Sequence, residues 1–121
     1  MVIALWILNA LLAVVFIGAG LMKLARPKAA LAGNGMAYVE DFSDTQVKLI
    51  GLVEVIGAVG LILPLLLNVA PVLTPLAAAG LVVTMLVATI VHARRKENVL
   101  PTIVLAVLAL ASAILGAIVI L

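Results

Sequence analysis

The chain has 121 residues, of which 68% are hydrophobic and 10% charged, with a net charge of +2 and no cysteine. A water-soluble domain is nearer half apolar and a quarter charged, so this composition excludes one, and the small positive balance excludes a nucleic-acid surface. The missing thiols exclude dithiol redox chemistry, iron–sulfur ligation and thiolate zinc sites within the chain.

Apolar runs recur at about residues 2–22, 49–67, 72–91 and 99–121, each close to the ~20 residues that a helix needs to cross a bilayer. The expectation is one all-α membrane domain, a four-transmembrane-helix bundle over residues 1–121. The first run starts without a positive n-region and is longer than a signal-peptide core, so it is expected to be a retained helix. Trp6 suits an interfacial anchor. Asn9, Phe16, Ala19, Gly20 and Lys23 share one face at helical spacing, and Gly18 and Gly20 permit close approach of a neighbour. For Asn9 an interhelical hydrogen bond is favoured over a ligand contact.

Pro27 closes the first helix. Residues 23–48 form the one long loop. Within it Gly33-Asn34-Gly35 is turn chemistry, the segment with Tyr38 and Phe42 suits a short interfacial helix, and Ser43-Asp44-Thr45 can cap the next span. Glu40, Asp41 and Asp44 raise the possibility of a metal site. Glu40 and Asp41 are adjacent, however, and adjacent residues do not share a helix face, so a solvated loop is expected and no metal.

The second span carries Glu54 inside the apolar run, with Gly51, Gly57, Ala58 and Leu61 on its side. An ionisable group at that depth costs several kcal/mol unless it is protonated, hydrated or paired. Pro64 is expected to kink the far end. The third span ends at His92, with Leu81, Met85, Ala88 and Thr89 on the histidine's face. A short basic loop, residues 92–98, leads to Pro101 and a fourth span with a seam of Ala109, Ser112, Ala113 and Gly116.

Loops one and three carry Lys23, Arg26, Lys28, Lys48, Arg94, Arg95 and Lys96, which are all the Lys and Arg of the chain. The positive-inside rule then places residues 23–48 and 92–98 in the cytoplasm and both termini outside a cell membrane. Side chains tilt toward their helix N-terminus. Lys23 on the first helix and Glu54 on the antiparallel second therefore lean toward each other, with His92 at a similar depth. Lys23, Glu54 and His92 are the expected polar site near the cytoplasmic interface, with Asn9 as a further candidate.

On three segments the chain resembles the DoxX-like family of small four-helix membrane proteins: Gly18-Ala-Gly-Leu-Met-Lys-Leu24, Gly51-Leu-Val-Glu-Val-Ile-Gly-Ala-Val-Gly-Leu-Ile-Leu-Pro64 and Val91-His-Ala-Arg-Arg-Lys-Glu97. The order Lys, Glu, His across three helices carries the likeness. The resemblance makes Lys23, Glu54 and His92 the family's polar positions. It also implies a role ranging from a membrane subunit of a quinone-linked oxidoreductase to a part of oxidative-stress complexes or a membrane chaperone.

Three functions follow as expectations. The first is an accessory or assembly subunit, or a membrane protein that binds a small hydrophobic ligand, with no catalysis of its own and with membrane or redox proteins, or further copies of the chain, as partners. The second is a proton-coupled carrier of the small multidrug kind, which also has one intramembrane glutamate. Such carriers, though, keep it in the first helix and cage cations with aromatic rings, which are 3% of this chain. The third is a quinone-associated subunit, the quinone held by His92 or Asn9. One histidine and no cysteine hold no haem pair or cluster, so no intrinsic cofactor is expected. A Lys23–Glu54 pair that only sets helix register competes with all three.

Overall fold

The computed structural model describes residues 1–33 and 36–121. Among them the fold is helical, without a strand: α1 (Val2–Ala25), α2 (Lys28–Gly33), a 3₁₀ turn (Ala37–Asp41), α3 (Asp44–Leu67), α4 (Leu73–Arg94) and α5 (Leu100–Ile120). Four of these, α1, α3, α4 and α5, are long and apolar enough to span a membrane, with mean hydropathy between 2.1 and 3.0 over their best windows. Their outer faces carry exposed large apolar side chains such as Ile3, Val14, Val83 and Val107. That surface would be unstable in water and suits lipid.

The helices outrun the apolar stretches at the basic end. A hydropathy window cannot see the polar first turn of α3, yet the helix begins at Asp44. Ser43 is the N-cap, its hydroxyl accepting from the Gln46 N–H while the Gln46 side chain accepts from the Ser43 N–H. This is a complete capping box. At the other end α3 runs through Pro64 and closes at Asn68, whose φ of 53° is the left-handed cap conformation. Pro101 stands in the first turn of α5, where its missing N–H removes no helical bond. The six-residue α2 lies in a stretch with no helical periodicity long enough to read. Of the expected turn Gly33-Asn34-Gly35, the last two residues lie outside the described set.

The core is thin, because lipid covers most of each helix. Leu12, Phe16, Ala58, Leu61, Leu81 and Ala109 form its centre. Small residues decide where backbones meet. A Cβ added at Gly20 would lie 2.7 Å from the Gly51 carbonyl oxygen, and one at Gly51 would lie 2.8 Å from that of Gly20, so α1 and α3 touch backbone to backbone here. Gly116 meets α4, where an added Cβ would come within 3.3 Å of Pro75. Gly18 has nothing within 4 Å and takes no part within this chain, so of the two glycines expected to admit a neighbour only Gly20 does.

This contrast is measurable. Gly51→Ala is expected to lose about 1–3 kcal/mol through overpacking against backbone that cannot yield. Gly18→Ala is expected to be neutral or to gain roughly 0.5–1 kcal/mol from reduced chain entropy. Thermal unfolding in detergent reads both, and equal losses in the two variants would contradict the glycine contact.

Candidate functional site

The Gly20–Gly51 contact explains the site beside it. Lys23 and Glu54 each lie three residues beyond it, about 4.5 Å along their axes in opposite directions because the helices are antiparallel. Their backward tilt returns both side chains to the contact. Lys23 Nζ donates to Glu54 Oε1 at 2.5 Å, and the residues are only 3% and 2% exposed. The expected convergence of these two groups is therefore present in the structure.

Tyr38, expected from sequence only as part of a short interfacial helix, joins the polar site. It follows the short helix in a loop with no periodicity, and nothing in its sequence neighbours marks it. The 3₁₀ turn sets its ring over the ion pair, with Lys23 Nζ 5.6 Å from the ring centroid, within cation–π range. The same ring meets His92, centroid to centroid 4.7 Å with the planes tilted by 52°. Burial pushes the Tyr38 phenol above its usual range, while the nearby Lys23 ammonium pulls the other way. The phenol thus stays a neutral donor at neutral pH. Tyr38 joins His92 to the pair; His92 itself bonds through Nδ1 to Glu97 Oε1 at 2.8 Å.

Around this centre the two loops are tied together. Arg95 Nη1 donates to Asp41 at 2.7 Å, Nη2 to Glu40 at 2.9 Å and Nε to Glu97 at 3.1 Å. Glu40 and Asp41 are exposed, as a solvated loop requires, but they converge on one guanidinium fork and are not free. The fork's separate N–H groups let adjacent carboxylates, which could not share a helix face, share a partner. Among the described residues no group of three or more metal-ligating side chains comes together. Lys48, read from sequence only as a basic charge, donates to the carbonyls of Lys23, Leu24 and Arg26 at 2.8, 3.0 and 2.8 Å. Its three N–H groups thereby satisfy carbonyls that α1 leaves unpaired at its end.

Asn9 belongs elsewhere. Fourteen residues before Lys23, it sits about 21 Å away along α1. Its amide donates to the Leu61 carbonyl at 2.9 Å and accepts from the Ser112 hydroxyl at 2.5 Å, linking α1, α3 and α5. This matches the interhelical bond favoured for it. Its separation from Lys23, Glu54 and His92 takes it out of their site.

A cavity of about 280 Å³ opens between α3 and α4 against the ion pair. Lys23, Glu54, Tyr38, Phe42, Val53 and Val87 are among the residues that line it, Lys23 and Glu54 being buried. Val53 and Val87 are about half exposed on the apolar outer face, so the cavity is open sideways, toward lipid. The volume is roughly twice the ~150 Å³ of an apolar cavity that holds benzene. Its chemistry is that of a binding pocket, apolar walls with a few convergent polar groups.

The model of one protein family, the DoxX-like family, matches residues 7–116. No curated protein and no solved structure matches the chain.

Proposed function

From the premise that this chain belongs to the DoxX-like family and is a multi-pass membrane protein, we propose that it binds a small hydrophobic molecule taken from the bilayer. The observation that carries this reading is the lateral cavity, which has a lipid-facing apolar mouth and ends on a buried lysine–glutamate pair and a tyrosine. A structural pair alone needs no cavity beside it. The carrier reading gains little, because a cation-exchanging glutamate must be free to bind its cargo and Glu54 is held by Lys23.

The same proposal sets the site at the cytoplasmic interface. All seven Lys and Arg residues belong to the two loops that Arg95 ties together or to the helix ends beside them. The positive-inside rule assigns that end to the cytoplasm.

Binding is tested with a neutral naphthyl ketone whose emission reports polarity, added to the protein in lipid nanodiscs. Saturable emission above that of empty nanodiscs is expected. Val87→Trp, a change on the exposed rim, is expected to weaken it about tenfold by filling the mouth, with unchanged thermal stability, since rim substitutions leave the core packing intact. Binding unaffected by Val87→Trp would overturn the site. Orientation is tested with single cysteines, for which the chain offers no background. An impermeant maleimide is expected to label Asn68→Cys and spare Asn98→Cys in intact cells; the reverse pattern would invert the topology.

A further inference from the structure

We infer that the ligand is a single-chain amphiphile of the bilayer with a neutral hydroxyl head, the head lying by Lys23, Tyr38 and Glu54 and the chain along a groove between α3 and α4. This rests on the binding reading above and adds the ligand's class.

The groove is the first half of the argument. Beyond the cavity, away from the basic loops, a second concavity of about 420 Å³ runs between the same two helices. Val53 lines both, so the two border the same side chain. The second is walled by apolar and small residues, among them Ile56, Gly60, Leu76, Ala77 and Gly80. Glycines make its floor: a Cβ at Gly57 would lie 2.8 Å from Leu81 Cδ2, and one at Gly60 would lie 2.7 Å from Ala77 Cβ. From Glu54 to Pro64 the groove follows α3 for about 15 Å, roughly one leaflet of a ~30 Å hydrocarbon core. A headgroup at the basic end would thus have room for one extended chain.

The polar end supplies the second half. Lys23 and Glu54 sum to zero charge and are already bonded to each other. An anionic head would add a second negative charge beside the Glu54 carboxylate with Lys23 alone to balance both, and a cationic head would compete with Lys23 for that carboxylate. A hydroxyl does neither. Lys23 engages Glu54 Oε1, and among the described residues no sealed polar side-chain atom lacks a partner. The other oxygen, Oε2, is therefore left to the cavity that Glu54 lines. A hydroxyl can donate to that oxygen while accepting from the Tyr38 phenol, which remains protonated. In lipid there is no hydrophobic gain on moving a chain from bilayer to groove. Selection must come from this polar match and from packing.

The test uses two photoreactive alcohols in nanodiscs, of four and twelve carbons, each with a diazirine at the far end of its chain, and the twelve-carbon acid as a third probe. Adducts are mapped by mass spectrometry and counted only where excess unlabelled alcohol of the same length suppresses them. The short alcohol is expected to mark Val53 and Val83, and the long one Leu73 and Leu76; the acid is expected to mark either set at least about fivefold less. Gly80 has nothing within 4 Å of an added Cβ, so Gly80→Leu fills the groove without a clash. It is expected to cut the long probe's marks about fivefold, a packing effect, and to spare the short probe's. Marks from the short alcohol with none from the long one in the distal half would overturn the chain groove and leave the binding site standing. Equal marking by the acid would overturn the neutral head. Competable marks from neither alcohol would overturn both this inference and the site it rests on.

Discussion

Two opposite charges in the apolar interior must meet, and much of the architecture at one end of the bundle follows from that requirement. A charged side chain at the centre of a membrane helix costs about 2.5–3.5 kcal/mol by insertion scales, so Lys23 and Glu54 are each unfavourable alone. Their contact at 2.5 Å lies beside a point where α1 and α3 come closer than residues with a Cβ would permit. Gly20 and Gly51 grant that approach. The glycine contact and the ion pair adjoin: a Cβ at Gly51 would lie 2.8 Å from Lys23 Cβ, and loss of either charge leaves the other buried without a counterion. Lys48 adds to it by closing the last carbonyls of α1, which holds the end of Lys23's helix against the start of Glu54's.

The bundle is polar at its two ends in different ways. Near the basic loops the polar groups are charged and border a cavity. At the far end Asn9, Ser112 and the Leu61 carbonyl satisfy one another inside the packing, and Thr74 does the same by donating to the Gly60 carbonyl at 2.9 Å. Hydrogen bonds of this second kind join helices and leave no group facing outward. Asn9 is therefore glue, and the lysine–glutamate end is where an incoming molecule would find polar groups to bind. The 3₁₀ turn and the Arg95 clasp cover that end and carry Tyr38 into it, which makes the long loop part of the site and not merely a connection.

What the sequence discloses follows the physics of each feature. Four spans are legible because hydrocarbon demands long apolar runs, and the Lys23–Glu54 meeting is legible because helix periodicity and side-chain tilt are geometric rules. Ser43 is legible as a cap because Ser, Asp and Thr favour that position, while the answering bond from Gln46 appears in the structure. The role of Tyr38 is hidden, since loops have no period and its neighbours, Lys23 and His92, are distant in sequence. Asn9 shows its chemistry but not its partner, because a backbone carbonyl such as that of Leu61 leaves no residue signature. Gly18 and Gly20 are both small enough to admit a neighbour, but helical spacing sets only Gly20 on the face of Phe16 and Lys23, and that is the face that meets α3. Lys48 announces its charge, but its role as a cap on another helix depends on the close α1–α3 approach.

The central claim is that Lys23 and Glu54 are coupled, and a double-mutant cycle of unfolding free energy in detergent tests it most directly. Glu54→Gln and Lys23→Met are each predicted to lose about 3–5 kcal/mol, the usual consequence of stranding one member of a buried pair. The double variant is predicted to regain part of that loss, with a coupling above about 1 kcal/mol. Additive losses, with coupling within about 0.5 kcal/mol, would contradict the account: the two charges would then be buried independently, and the close meeting of α1 and α3 would need another cause.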